Sequence, residues 1–242
     1  MLLKAGAKVD IKDQYESTPL VGAAGNGHDK IVKVLISRGS DVNERTGWSG
    51  NALQVAAQNG NRKLVCTLLG IGADVNAQGG DFGNALQAAS SSGNEAVVTM
   101  LLEKGADVNA QGGSYGNALQ AALWKGNEKG VRRLLEKGAA VNVQGGFSGN
   151  ALQVASWSRN EAAVRLLLEK GAAVNAQGGY YGNALQAASC GGNEAVVRLL
   201  LENGADIHAE GGKYGNALHA AASEANEAVL KVLLRMGAKR SL

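Results

Sequence analysis

Residues 83–116 read GNALQAASSSGNEAVVTMLLEKGADVNAQGGSYG, and most of this stretch returns after every 33 residues. Its opening tetrapeptide, Gly-Asn-Ala-Leu, begins at Gly50, Gly83, Gly116, Gly149, Gly182 and Gly215. A fixed period of this length is typical of stacked repeat architectures. We therefore expect a partial repeat over residues 1–16, followed by seven repeats that start at residues 18, 51, 84, 117, 150, 183 and 216.

The sequence of a single repeat predicts two helices and a long turn. Asn84 precedes an Ala- and Leu-rich run, so its side chain is expected to cap a first helix that Gly93 ends. Asn94 is expected to cap a second helix, in which residues 97–102 form an apolar stripe. Gly105 ends this helix, and a glycine-rich turn leads into the next repeat. A single helix pair cannot cover its apolar side, whereas stacked pairs can.

Composition fits stacked helix pairs and excludes other classes of protein. Glycine accounts for 35 of 242 residues, but a single proline and the lack of a three-residue glycine period exclude collagen. Apolar residues make up 45% of the chain, although it has only five Tyr, three Trp and two Phe, which indicates small side chains between close helices. We therefore expect an all-α solenoid in which residues 1–242 form one domain.

The charge of the chain indicates which partners to expect, and its cysteine content indicates its location in the cell. The 24 basic and 21 acidic residues give a net charge of +3 without a concentrated basic patch, so we expect no nucleic-acid partner. No apolar run reaches the roughly 18 residues that a membrane-spanning helix needs, so we expect no membrane partner. Cys66 and Cys190 are too few for a disulfide framework, which favours a cytoplasmic location.

These motifs resemble the ankyrin-repeat family over essentially the whole chain. Residues 17–24, STPLVGAA, resemble the family's helix-opening motif Thr-Pro-Leu-His-x-Ala-Ala, and Gly27-His28 resembles its turn between the two helices. Residues 101–110, LLEKGADVNA, resemble its end-of-repeat motif almost letter for letter. The resemblance implies an all-α ankyrin-repeat solenoid that binds proteins.

The later repeats depart from the family motif in a consistent way. Thr-Pro-Leu-His becomes Asn-Ala-Leu-Gln, and the turn becomes Gln-Gly-Gly-x-aromatic-Gly. This variant resembles the arrays of large fungal proteins, and we expect the chain to be part of one. Residues 2–10 match the tail of a repeat without its first helix, and neither end has a polar capping repeat. We therefore expect a piece of a longer array or a truncated gene product.

No residue pattern indicates catalysis, a metal or a cofactor. The three histidines occupy different parts of the repeat, and no His, Cys, Asp or Glu cluster has metal-ligand spacing. The glycine-rich residues 79–83 precede a helix, but they lack the Lys-Ser/Thr of a phosphate loop and recur along the array. We interpret them as turn geometry and expect neither enzyme activity nor a cofactor.

Aromatic residues are concentrated in the long turns. All but two of them lie there: Tyr15, Trp48, Phe82, Tyr115, Phe147, Tyr180, Tyr181 and Tyr214. Because the turns of stacked repeats lie side by side, we expect one row of rings along an edge. The row either packs on neighbouring turns and stiffens the array, or it forms a contact strip for a partner.

The other two aromatic residues, Trp124 and Trp157, occupy the same place in consecutive repeats, near the end of the first helix. In ankyrin-like arrays this place faces the concave groove, and helix packing predicts about 10 Å between the two side chains. Lys125 and Arg159 lie beside them, and Arg159 replaces a turn glycine, which predicts local backbone strain. The two tryptophans either fill gaps beside small neighbours or form the centre of a binding site.

We therefore predict a non-catalytic module that binds a protein partner through its concave groove and turn row. The candidate partner-binding residues are Trp48, Phe82, Tyr115, Trp124, Lys125, Phe147, Trp157, Arg159, Tyr180, Tyr181 and Tyr214. The alternative is homotypic assembly, for example end to end, or a structural spacer. A small-ligand site or an enzyme on a repeat frame is a third class that no residue cluster supports.

Overall fold

The computed structural model describes residues 8–238, and the expected partial repeat over residues 1–16 lies partly outside this range. Fourteen α-helices follow one another in pairs within the described range, which otherwise contains turns and isolated bridges. The helices are α1 (Pro19–Gly25), α2 (Asp29–Ser37), α3 (Ala52–Gln58), α4 (Arg62–Gly70), α5 (Ala85–Ser92), α6 (Glu95–Glu103), α7 (Ala118–Trp124), α8 (Glu128–Glu136), α9 (Ala151–Trp157), α10 (Glu161–Glu169), α11 (Ala184–Gly191), α12 (Glu194–Glu202), α13 (Ala217–Ser223) and α14 (Glu227–Arg235). The predicted all-α fold of repeated helix-turn-helix pairs is confirmed.

The first helices α3, α5 and α9 begin at a reciprocal cap. In α5 the Gln87 amide donates to Asn84 Oδ1, and the Asn84 amide donates to Gln87 Oε1, both at 2.9 Å. The same capping box opens α3 and α9. A cap of this kind contributes about 1 kcal/mol to helix stability. The Asn-x-x-Gln spacing of the repeat therefore explains why these helices begin where the sequence predicts.

The second helix α2 follows His28, whereas the second helices of the later pairs follow an asparagine that does not act in the same way everywhere. The side chain accepts a helix amide at Asn61, Asn127, Asn160 and Asn193. Asn94 precedes α6 as predicted, yet its side chain makes no cap. Its Nδ2 donates instead to the Gln58 carbonyl oxygen at 2.9 Å. The predicted cap at Asn94 is therefore wrong for the side chain, which bonds to the end of α3 and not to the first turn of α6.

The chain divides into two compact units, Met1–Ala122 and Leu123–Leu242. Each has its own core of leucines from the helix pairs, surrounded by buried alanines. The largest fully buried side chains of the first compact unit are Leu53, Leu64, Leu68, Leu86, Leu101 and Leu119. Those of the second are Leu123, Leu134, Leu152, Leu167, Leu185 and Leu200. Each such leucine contributes about 2 kcal/mol of transfer free energy, so both cores are substantial for their size.

The glutamine of each capping box also fixes the next long turn. Nε2 of Gln87 donates to the carbonyl oxygens of Ala110, Gly112 and Gly116 at 3.3, 3.2 and 3.1 Å. The Gln87 side chain is completely buried. Equivalent bonds are made by Gln54 and Gln153. One side chain therefore satisfies its own helix start and the backbone of the following turn.

A second series of side chains joins the turns further from the helices. Asn76 Nδ2 donates to the Gly105 carbonyl oxygen at 3.1 Å, and Asn76 Oδ1 accepts the Asp107 amide at 2.8 Å. The same pair of bonds is made by Asn43, Asn142 and Asn175. The turn backbones also bond directly, since the Tyr180 amide donates to the Phe147 carbonyl oxygen at 3.0 Å. These bonds join a turn to the following turn and fix the spacing between the side chains of successive turns.

Close approach of two turns explains a glycine in the Gln-Gly-Gly sequence. Gly80 has a φ of +62°, a left-handed conformation that favours glycine. A Cβ atom on Gly80 would lie 2.5 Å from the Gly50 amide nitrogen and 2.8 Å from the Trp48 carbonyl oxygen. These distances leave no room for a side chain, in agreement with the interpretation of this loop as turn geometry.

Candidate functional site

The two tryptophans singled out in the sequence stack on each other. Trp124 ends α7 and Trp157 ends α9, and their ring centroids lie 4.8 Å apart with planes 14° from parallel. The predicted separation of about 10 Å is wrong, because it is the spacing of packed helices and the rings approach more closely than the helix axes. A stacked pair gains roughly 1 kcal/mol beyond its burial. Both rings nevertheless remain partly exposed.

The aromatic residues of the turns occupy two neighbouring positions of the repeat. The first position holds Tyr15, Trp48, Phe147 and Tyr180. The next position holds Phe82, Tyr115, Tyr181 and Tyr214. Phe147 is 55% exposed, whereas Tyr181 is 5% exposed. The Phe147 ring is therefore much more exposed than the Tyr181 ring, although rings from both positions line the cavity described below.

In the second compact unit these rings and the two tryptophans form one connected group. Trp157 and Tyr181 stack at 6.2 Å, and Phe147 and Tyr180 stack at 4.4 Å. Tyr180 contacts Tyr181 edge-on at 5.1 Å. We call the six rings the aromatic cluster: Trp124, Phe147, Trp157, Tyr180, Tyr181 and Tyr214. The structure thus joins residues that the sequence assigned to a groove and to a turn row.

The aromatic cluster lines an open cavity of about 740 Å³. Its remaining lining residues are Ser158, Arg159, Cys190, Gly191 and Glu224. A volume of this size lies in the range of ordinary ligand pockets. The cavity combines six aromatic rings with one basic and one acidic side chain, and aromatic residues and arginine are enriched at protein interfaces.

Three polar side chains of the cavity are hydrogen-bonded in series. The Cys190 thiol donates to the Tyr214 hydroxyl at 3.7 Å, and the Tyr214 hydroxyl donates to Glu224 Oε1 at 2.9 Å. Burial raises the pKa of the Cys190 thiol. The hydrogen bond with Cys190, followed by burial, raises the pKa of the Tyr214 hydroxyl, and burial raises that of Tyr181. At neutral pH these groups therefore keep their protons.

Arg159 has the strained backbone that the sequence predicts. Its φ is +61°, at the turn position that glycine occupies in most repeats. A left-handed conformation costs a residue with a Cβ roughly 1–2 kcal/mol. Arg159 also lies at the cavity, so the strained residue contributes a cation there.

We predict that Arg159→Gly raises the free energy of unfolding by about 0.5–1 kcal/mol, since relief of the strain exceeds the added freedom of the unfolded chain. Urea denaturation followed by circular dichroism measures the change. Ala225 has a φ of +54° at the same repeat position, so Ala225→Gly is a control without a charge change. A stability that falls in Arg159→Gly and rises in Ala225→Gly would show that the guanidinium stabilises the fold.

Four of the sequence-predicted residues are not among the residues that line the cavity. Trp48, Phe82 and Tyr115 belong to the first compact unit, where Phe82 and Tyr115 stack at 6.4 Å. Lys125 is exposed and is not among the residues that line the cavity in the described chain. Seven of the eleven sequence-predicted residues therefore line the cavity, and the other four are not among its lining residues.

Sequence reasoning missed two functional candidates, Cys190 and Glu224. Cys190 occupies the repeat position of Trp124 and Trp157, and Glu224 occupies that of Lys125. Trp124, Trp157 and Lys125 were predicted as partner-binding residues. The shared repeat position was therefore the signal that could have identified Cys190 and Glu224. Neither residue is aromatic, whereas most of the predicted partner-binding residues are.

Two kinds of site are not found in the part of the chain that the structure describes. No group of three or more His, Cys, Asp or Glu residues there could hold a metal ion. Between residues 8 and 238, none of the helices combines the length and the apolar character that crossing a bilayer requires.

Comparison with known proteins identifies the fold family. The family described as "Ankyrin repeats (3 copies)" matches residues 1–79, 53–145, 114–178 and 152–241. The crystal structure of the human ASB11 ankyrin repeat domain is similar, with a TM-score of 0.75 and 28% sequence identity over 93% of this chain and 100% of that chain. A comparison with curated proteins found no match. The ankyrin-repeat fold is a general protein–protein interaction module and typically non-catalytic. The chain belongs to the ankyrin-repeat family.

Proposed function

We propose that this chain binds a protein partner through the cavity lined by the aromatic cluster, with Trp124 and Trp157 at its centre. The observation that carries the proposal is that two stacked indoles remain partly exposed beside an open cavity of about 740 Å³. Trp, Tyr and Arg are the residues that most often dominate binding energy at protein interfaces, and all three types line this cavity.

An alternative interpretation is that the stacked tryptophans only fill space in the fold. Large rings can fill space left by small side chains, and Ser91 and Ser223 stand at the same position in other repeats. Rings that only filled space would be expected to be covered completely, as Leu152 and Leu185 are. Partial exposure instead leaves apolar surface that a partner can cover. A larger fungal protein is the context that we propose for this module.

We predict that Trp124→Ala combined with Trp157→Ala weakens partner binding by about 2 kcal/mol or more, which is at least roughly 30-fold in Kd. The two rings form a stacked pair at the cavity, and we expect their loss to leave the helix backbones in place. Capture from a fungal extract with the wild-type chain provides the partner, and calorimetry with the purified pair measures both affinities.

The control replaces a stacked pair outside the cavity, by Phe82→Ala with Tyr115→Ala. We expect its Kd to stay within about threefold of wild type, because peripheral interface contacts contribute little. Helical content and urea midpoints of both double variants verify that they are folded. The proposal is wrong if the tryptophan variant binds normally, or if both variants lose affinity equally. Mass that rises with protein concentration would favour the homotypic alternative.

A further inference from the structure

We propose that the protein partner places an acidic side chain, Asp or Glu, at the aromatic cavity, and that its carboxylate pairs with the Arg159 guanidinium. The inference rests on the proposed function and specifies the chemistry of the partner at the same site. Three observations carry it: the side chain of Arg159 has no partner within the described chain, its backbone is strained, and the acidic residue of the cavity is offset by another cation.

The first observation is that the Arg159 guanidinium is unpaired in the part of the chain that the structure describes. Asn193 Nδ2 donates to the Arg159 carbonyl oxygen at 3.2 Å, but none of the described groups accepts a hydrogen bond from the guanidinium or forms an ion pair with it. By contrast, Arg165 and Arg198 each bond a glutamate four residues earlier, at 2.7 Å. Arg159 is exposed and lines the cavity, so its N–H donors are available to a partner.

The second observation is that Arg159 strains the backbone without gaining a bond for its side chain. Its φ is +61°, and the same repeat position holds Gly126 and Gly192, which adopt a left-handed conformation without a Cβ atom. Strained residues are concentrated at functional sites, where the use of the side chain compensates for the strain. Because the guanidinium has no partner in the described chain, a partner outside the chain would account for arginine at this position.

The third observation concerns Glu224, which lines the same cavity and would repel an anion. Its Oε1 accepts the Tyr214 hydroxyl at 2.9 Å. A hydrogen bond with Tyr180 is the largest cause of the raised pKa of the Lys213 ammonium, and the negative charge of Glu224 adds to this shift. Lys213 therefore partly offsets the charge of Glu224, whereas Arg159 has no negative counterpart among the described residues. The charge left unpaired at the cavity is positive, which favours an anionic guest.

A carboxylate suits this site better than a phosphate group does. A guanidinium presents parallel N–H donors that match the two oxygens of a carboxylate. Phosphorylated peptides are typically bound by clusters of arginines, but Arg159 is the single basic residue that lines the cavity in the described chain. Glu224 would also repel a dianion more strongly than a monoanion. Phe147, which is 55% exposed, offers apolar surface to the residues beside the acidic one.

The test selects binders from a random library of short linear peptides on the immobilised chain. An excess of the soluble Trp124→Ala/Trp157→Ala variant removes the peptides that do not need the tryptophans. Among the retained peptides, we expect Asp and Glu together to be enriched at least about twofold over the input library. Retained peptides with the input share of acidic residues would overturn the inference.

A double-mutant cycle then tests whether the carboxylate pairs with Arg159. Each acidic residue of the most frequent retained peptide is replaced by its amide, and calorimetry measures Kd with wild type and with Arg159→Gln. We expect loss of the critical acid to weaken binding to wild type at least about fivefold, but binding to Arg159→Gln less than about twofold. Arg159→Gln keeps the Cβ atom and its strain, so its urea midpoint should match that of wild type.

The matched control is Arg165→Gln, which removes a guanidinium that is already bonded to Glu161 and does not line the cavity. Its Kd for the peptide should stay within about twofold of wild type. Equal weakening in Arg159→Gln and Arg165→Gln would show an effect of net charge alone and would overturn the inference. A peptide with phosphoserine at the critical position should bind no more tightly than the carboxylate peptide. Binding at least about tenfold tighter would identify the guest as a phosphate group instead.

The outcomes also distinguish the carboxylate inference from the proposed function. Peptides that need both tryptophans but neither an acidic residue nor Arg159 would overturn the inference and leave the proposed function in place. A library without any peptide that needs the tryptophans would contradict both. With the whole partner, Arg159→Gln should weaken binding at least about fivefold, and an unchanged Kd would overturn the inference.

Discussion

Gln87→Glu is expected to lower the free energy of unfolding by about 3 kcal/mol or more at neutral pH. Nε2 of Gln87 donates to three carbonyl oxygens, and the side chain is fully buried. The substitution replaces this donor by an oxygen, which places negative charge beside the carbonyl oxygens of Ala110, Gly112 and Gly116. The helix cap at Asn84 is retained, because its amide can still donate to a carboxylate oxygen.

The effect of Gln87→Glu should depend on pH in a defined direction. Burial and the three carbonyl oxygens favour the protonated acid, so folding raises the pKa of the introduced carboxyl above its unfolded value. The penalty is therefore small below the unfolded pKa and grows as the pH rises toward the folded one. Urea midpoints at acidic and neutral pH measure this change.

Gln111→Glu is the matched control, because Gln111 is exposed in the following long turn. The same change of charge there should alter the free energy of unfolding by no more than about 0.5 kcal/mol at either pH. If Gln87→Glu were as mild as the control, the bonds from the side chain to the turn would have little energetic importance.

Gly80→Ala should lower the free energy of unfolding by about 3 kcal/mol. The left-handed φ of +62° contributes roughly 1–2 kcal/mol of strain. A Cβ atom 2.5 Å from the Gly50 amide nitrogen requires the two turns to separate, and such overpacking costs roughly 1–3 kcal/mol more. Urea denaturation of the intact chain measures the sum.

Gly105→Ala separates the two causes. Gly105 has a φ of +87°, and a Cβ atom there would meet nothing within 4 Å. Its substitution should therefore cost only the backbone strain, about 1 kcal/mol. Equal effects at Gly80 and Gly105 would mean that the long turns adjust to an added methyl group without loss of stability.

The fold could be predicted from the sequence because its signals are local and repeated. The Asn-x-x-Gln spacing that begins at Asn84 defines both the start of α5 and its capping box. Gly93 ends this helix in the left-handed conformation, with a φ of 78°. These features depend on residues a few positions apart, so the period of 33 residues carries them through the array.

The candidate site could be predicted only in part, since it depends on distances across repeats. Trp124 and Trp157 were identifiable as unusual residues in one register, but their stacking at 4.8 Å depends on side-chain rotamers. Phe147 and Tyr181 were assigned to one row, but their exposed fractions of 55% and 5% depend on packing between repeats. The role of Gln87 in the next turn was not recognised, because it joins residues 23 to 29 positions apart.

The bonds between turns also bear on how the gene can change. In the first compact unit, the side chains of Asn43 and Asn76 each donate to a glycine carbonyl oxygen and accept an aspartate amide of the following turn. The two asparagines use equivalent positions of successive repeats. Recombination between DNA segments that encode whole repeats would therefore insert or delete a repeat and leave these pairings complete. Repeat number and binding specificity can then evolve separately, the first by duplication and the second by substitution of turn side chains.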